Sequence, residues 1–234
     1  MTNAYIPSTM GPEDWKYNLK DPEREWKRGN SARTIAHCWE DCQGFPPEID
    51  GIMRESETLH EVEPLLMVPE WKVPLPGRGH PSQSDVWVLA KVPDGLVSIA
   101  VEGKVNEPFG QRLNDWKGNE NRQKRLDGLV SFLGLKSEPA GHIHYQLIHR
   151  AASAVIMAEQ LTVLARQSGA KPAVAAVMLI HSFSPSDKWF SEYCEFGCLF
   201  GIDAEIGVLG TAQARNALPL HLGWVRGNER YLKA

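Results

Sequence analysis

The chain has 234 residues, 42% of them hydrophobic, with a formal net charge of −4 and a pI near 6.1. That is enough chain for one sizeable core, and the acidic balance argues against a basic protein that coats nucleic acid unselectively while leaving room for a local phosphate-binding patch. No apolar run approaches the ~20 residues of a membrane helix, and Met1 to Tyr5 shows no basic segment followed by an apolar core, so the expectation is a cytoplasmic protein with no membrane partner.

Residues 1–30 are rich in Pro, Lys, Glu, Asp and Trp, with helix-start or turn signals at Pro12-Glu13-Asp14 and Asp21-Pro22. They predict an extended arm or short helix that packs through Trp15 and Trp26. Ser31 is placed to cap a helix through Ile35, Ala36 and Trp39 to Cys42, ended by Gly44 and Pro46-Pro47. A second helix follows through Glu48, Ile49, Ile52 and Met53, then an apolar strand over 64–70. A loop rich in Pro and Gly, 74–81, leads to Asp85.

Two apolar runs then flank Pro93-Asp94-Gly95, a hairpin signal. If Asp94-Gly95 forms a two-residue turn, Asp85 lies opposite Lys104 and Trp87 opposite Glu102. Opposite residues share a face, as do i and i+2 on one strand, so Asp85, Glu102 and Lys104 project from one side. Val86, Val88, Ala90, Ile99, Val101 and Val105 form the other, core side. A four-residue loop keeps this arrangement and a three-residue loop breaks it. Two carboxylates and a lysine beside a core are costly to desolvate unless paired or bound to a cation. Converging oxygen ligands suit Mg2+, with Mn2+ as a substitute, and a lysine can orient or activate a water: the equipment of metal-assisted phosphodiester hydrolysis.

After Lys104 a polar stretch becomes an exposed helix that continues through Leu126 and Leu129 to Leu133. A long helix over 143–166 follows, then a wholly apolar strand over 174–180, as in the middle of a covered sheet. Residues 189–200 read as a helix, and 204–209 and 221–225 as late edge strands. The whole reads as one α/β domain, 1–234, with a mixed central β-sheet flanked by helices: an N-terminal helical extension (1–45), a core (about 45–200) and a C-terminal addition (201–234).

An Asp, a spacer and then Glu-x-Lys on adjacent strands, here Asp85, Glu102 and Lys104, resembles the PD-(D/E)XK nuclease superfamily, which includes restriction enzymes, junction resolvases and repair nucleases. Ser84 stands where the name of that group has proline. The resemblance implies a restriction-endonuclease-like αβββαβ core and a Mg2+-dependent nuclease, DNA rather than RNA its substrate, with a homodimer where two strands are cut. It implies metal ligation by Asp85, Glu102 and the Gly103 carbonyl, with a further acid from Glu48, Glu63 or Glu70, of which Glu70 ends the preceding strand. Gln146, on the helix after the Glu-x-Lys strand, matches a glutamine that reaches back to the active centre in several branches, and Arg150 is placed to stabilise transition-state charge. Gln83 shares the face of Asp85, and Gln111 and Arg112 follow the site by a short loop; all three are candidates for phosphate contact. The whole chain is also similar to an uncharacterised bacterial family, which adds no activity.

Two other function classes stay open: a nucleic-acid-binding or assembly protein that keeps the fold without the chemistry, and a metal-dependent hydrolase of small phosphoesters. The remaining motifs read as structural. Cys38-x3-Cys42 and Cys194-x3-Cys198 lie in amphipathic patterns and read as buried thiols rather than a four-thiolate zinc site. His142-x-His144 with His149 lacks a carboxylate or thiolate at zinc spacing. The basic run Lys117, Arg122, Lys124 and Arg125, with Arg112, is the best local phosphate-attracting surface and otherwise a solvated helix face.

Overall fold

The computed structural model describes residues 8–234, so Met1 to Tyr5 lie outside the described residues. A 3-10 turn, Pro12–Asn18, buries Trp15, and the short helix α1 (Pro22–Glu25) follows. Asn30, not Ser31, takes the N-cap position of helix α2 (Ser31–Glu40), and its side chain makes no capping hydrogen bond. Ser31 is the first helical residue, and its N–H is held by the Glu107 carboxylate at 2.8 Å. Pro47 opens α3 (Pro47–Arg54), where its missing N–H leaves no helical bond unmade.

Strands β1 (Glu63–Val73), β2 (Ser82–Val92) and β3 (Gly95–Lys104) form an antiparallel meander. Helices α4 (Leu113–Trp116), α5 (Glu120–Phe132) and α6 (Tyr145–Ser168) cross over to β4 (Ala173–Ser182), parallel to β3. Helix α7 (Phe190–Cys198), β5 (Leu209–Gln213) and β6 (Pro219–Arg226) complete a six-stranded mixed sheet of order β1-β2-β3-β4-β6-β5. The protein is thus α/β, with helices on both faces of its sheet. The chain order α3, β1 to β3, α6, β4 runs helix, three strands, helix, strand.

The β2–β3 turn is Pro93-Asp94, with Val92 paired to Gly95, so the register differs by two residues from that expected: Trp87 faces Ala100, not Glu102. Proline pre-sets the φ of the first turn position. Gly95 opens β3 opposite Val92, and the position takes glycine because a Cβ there would stand 2.3 Å from the Pro172 carbonyl oxygen. The side chains keep their faces, because the period of a strand is two.

Val86, Val88, Ala90, Ile99, Val101 and Val105 pack with Ile35, Trp39, Ile49 and Met53 of α2 and α3. Trp87, Ala100, Met178, Ile180 and Trp224 turn to the other side and pack with α5, α6 and α7. Strand β4 is apolar throughout because it is internal and covered on both faces. Two late strands differ from expectation. The expected strand over 204–209 lies later, at Leu209–Gln213, and β6 is internal between β4 and β5. The C-terminal addition is therefore built into the central sheet.

Helix α6 is long and apolar enough to cross a membrane by length and composition, with 24 residues and a window of mean hydropathy 1.2. It is the core helix of this fold: 67% of that window is buried within the protein. Gly169, in the left-handed conformation with φ 72°, ends it.

Candidate active site

The first turns of α6 lie across the C-terminal end of β3, on the face that carries Glu102 and Lys104. Both strand residues are buried, at 4% and 3% exposure. Lys104 Nζ donates to Glu102 Oε1 at 2.7 Å and to Gln146 Oε1 at 3.3 Å. Gln146 Nε2 donates to the same Glu102 oxygen at 2.8 Å. One helical turn on, Arg150 Nε donates to Glu102 Oε2 at 2.5 Å and its Nη1 to Ser82 Oγ at 2.8 Å. Burial by itself raises the Glu102 carboxyl, but Arg150 and Lys104 outweigh it and hold the pKa at about 2.

Asp85 is half-buried on β2, one step beyond the Val86–Val101 pair and so level with Glu102. Its Oδ2 accepts the Gly103 N–H at 2.6 Å, in place of a ladder partner. Gly103, expected to lend a carbonyl, thus also fixes the Asp85 carboxylate through its amide. Burial, and then the charge of Glu102, push the Asp85 pKa up to about 7.

Glu70 completes the group. It falls between the Pro69–Val86 and Trp71–Ser84 pairs of β1 and β2, level with Asp85. Its backbone is left-handed, φ 53°, which costs a non-glycine residue about 1–2 kcal/mol. Its Oε2 accepts from Gln83 Nε2 at 2.7 Å. Burial, and then Asp85, push the Glu70 carboxyl well above its ordinary range.

The structure therefore brings Glu70, Asp85, Glu102, Gly103, Lys104, Gln83, Gln146 and Arg150 together. Of the three candidates for a further acid, Glu63 pairs with Lys91 at 2.9 Å at the far end of β1. Glu48 lies on the opposite face of the sheet, where it binds His181 Nε2 at 2.7 Å. Glu70 alone of the three stands beside Asp85.

An open cleft of about 380 Å3 adjoins this cluster through Gln83, Gln146 and Arg150 and is also lined by Gln111, Tyr145 and His149; Glu70, Asp85, Glu102 and Lys104 are not among its lining residues. Gln111 is thus at the cleft, whereas Arg112 is not among its lining residues; the Arg112 backbone instead bridges to His144. The basic run does not form one phosphate surface. Arg125 is 5% exposed and donates to the His80 carbonyl at 2.6 Å, and Lys124 and Lys117 pair with Glu120 and Glu138. Arg122 lies over the Trp116 ring, which stacks on Tyr145 with centroids 3.7 Å apart.

The expected burial of the cysteines holds for Cys38 alone: Cys42 and Cys194 are half-buried and Cys198 is exposed. No disulfide joins them, and Cys38 on α2 lies across the sheet from Cys194 and Cys198 on α7, so the four do not converge on one site. Cys38, Glu48 and His181 do come together, with donor atoms within 4.8 Å of one another. However, Trp39 Nε1 donates to His181 Nδ1 at 3.3 Å, which leaves the ring proton on Nε2, facing Glu48. Trp39, His181 and Glu48 thus form a hydrogen-bonded strut between α2, β4 and α3.

The cluster around Asp85 fits a divalent cation. Three carboxylates face two cations, and the two carboxylates without a cationic hydrogen-bond partner, Glu70 and Asp85, are those whose pKa values rise. Asp85 Oδ1 carries no hydrogen bond among the described residues. Hard oxygen donors of this kind suit Mg2+ or Mn2+.

Residues 8–229 match a domain of unknown function, DUF6946. The chain belongs to this family. No curated protein and no solved structure matches it. The DUF6946 match takes in all six strands and every residue of the cluster.

The sequence patterns assign neither Ser82 nor His149 to the site. His149 Nδ1 lies 2.9 Å from Ser82 Oγ and the ring lines the cleft. The available signals are positional: Ser82 lies three residues before Asp85, and His149 adjoins Arg150.

Proposed function

We propose that this protein is a Mg2+-dependent nuclease of the PD-(D/E)XK type, acting on DNA in preference to RNA. The observation that carries this reading is the acid excess at one point: a buried Glu70 and a half-buried Asp85 stand without a cationic hydrogen-bond partner beside an ion-paired Glu102. Asp85, Glu102 and Glu70 hold the metal, with the Gly103 carbonyl. A bound Mg2+ supplies positive charge against the scissile phosphate and lowers the pKa of water. Lys104 orients the attacking water, with Gln146 holding its ammonium in place. Arg150 keeps Glu102 ionised and lies at the cleft, where charge develops on the phosphate. A cytoplasmic setting belongs to the same proposal: no disulfide joins the four cysteines, as in a reducing compartment.

One observation favours a second reading, a DNA-binding protein of this fold without catalysis. Both Glu102 oxygens are already engaged, by Lys104, Gln146 and Arg150. A metal titration by calorimetry and a cleavage assay on circular and single-stranded DNA separate the two. We expect Mg2+ or Mn2+ binding that is lost in Asp85→Ala, and cleavage that is lost in Lys104→Ala and Glu102→Ala while circular dichroism shows folded protein. Cleavage retained in both variants overturns the mechanism; metal binding without cleavage leaves the second reading.

A further inference from the structure

The hydrogen bonds behind the cleft determine which nitrogen of His149 carries its proton. Arginine only donates, and Arg150 Nη1 donates to Ser82 Oγ at 2.8 Å. The other partner of that oxygen is His149 Nδ1, at 2.9 Å. Were Nδ1 the donor, the hydroxyl hydrogen of Ser82, a residue with 0% exposure, would lack an acceptor among the described residues, at a cost of about 1–3 kcal/mol. Ser82 therefore donates to Nδ1, and the neutral ring carries its hydrogen on Nε2. Burial, and then the adjacent Arg150 guanidinium, hold the His149 pKa well below its ordinary value, so the ring is neutral at pH 7. Nε2 has no partner among the described residues, and His149 lines the cleft with the Tyr145 ring 4.8 Å away.

The other donors at the cleft define what this N–H acts beside. Lys104 and Arg150 both direct donors at Glu102, and Arg150 another at Ser82. Arg150 Nη2, like His149 Nε2, has no partner among the described residues, and both side chains line the cleft. A phosphodiester presents two non-bridging oxygens as acceptors, which suits a neutral N–H beside a guanidinium.

We propose that His149 Nε2–H is a substrate-binding donor to a non-bridging oxygen of a phosphodiester. The proposal rests on the nuclease reading above for its chemistry, but its first test does not. Side-chain 15N spectra of the full-length protein read the tautomer directly. We expect Nε2–H in the parent, a mixture in Ser82→Ala, and a shift of the His149 signal on titration with dimethyl phosphate. An Nδ1–H ring, or no response to dimethyl phosphate, overturns the assignment.

The second test uses a chromogenic diester, bis(p-nitrophenyl) phosphate, with Mn2+. We expect turnover, a loss of ~10- to 100-fold in kcat/KM in His149→Ala, and recovery of most of it in His149→Gln, which restores an N–H. An unchanged kcat/KM in His149→Ala overturns the proposal. Absence of turnover, with the dimethyl phosphate shift intact, supports the donor and overturns only the nuclease reading.

Discussion

Arg150 on α6 and Glu102 on β3 join helix to sheet through a buried ion pair, Nε to Oε2 at 2.5 Å, with side chains 8% and 5% exposed. Removing one member of such a pair leaves its partner charged and desolvated, which costs more than the net strength of the pair itself. Lys104 offsets part of that loss from 2.7 Å. Arg150→Ala is therefore expected to destabilise the protein by about 3 kcal/mol, read as the shift of a urea unfolding midpoint at pH 7. A change below about 0.5 kcal/mol would show that the pair is solvated.

Asp85 makes the opposite contribution. Its pKa rises from the ordinary aspartate value of 3.8 to about 7 in the fold. Below about pH 3 the carboxyl is neutral whether the chain is folded or not, and no penalty exists. From about pH 3 to 7 the unfolded chain ionises more readily than the folded one, and stability falls; above pH 7 the loss is complete. Asp85→Asn removes this loss, so metal-free Asp85→Asn is expected to be more stable than the parent by about 1–3 kcal/mol at pH 8 and equal to it at about pH 3. Thermal unfolding at the two pH values checks it.

The same carboxyl links metal affinity to pH. A divalent cation bound at Asp85 displaces its proton. Mg2+ affinity is expected to rise about tenfold per pH unit below 7 and to level above it, measured by calorimetry in buffers of different ionisation enthalpy. A flat profile across pH 6–8 would remove Asp85 from the metal site.

Glu48 serves as a control on the opposite face of the sheet. Glu48→Ala leaves the buried His181 Nε2 without its acceptor and is expected to cost about 1–3 kcal/mol of stability. Mg2+ affinity should stay within about twofold of the parent, since Glu48 stands across the sheet from Asp85. A large loss of affinity would make Glu48 a metal ligand after all.

Much of this arrangement is legible in the chain because strand and helix periods are local. The alternation over Val86–Ala90 and Ile99–Val105 assigns one face to the core and, by parity, Asp85, Glu102 and Lys104 to the other. That holds although the turn falls one residue earlier than the Asp94-Gly95 signal suggests, since a two-residue change of register leaves every side chain on its face. The i, i+4 spacing of Gln146 and Arg150 puts both over the same strand end.

Other features are decided only when separate elements meet. The choice of Glu70 over Glu48 and Glu63 depends on which side of the sheet α3 covers and on the β1–β2 register, neither of which a local pattern encodes. The insertion of β6 between β4 and β5 is a matter of long-range strand order. The proton on His149 Nε2 follows from a serine 67 residues away and an arginine on the next position. Sequence by itself determined the faces, through short-range periodicity; tertiary structure determined the partners, because hydrogen bonds and desolvation act across space between residues distant in the chain.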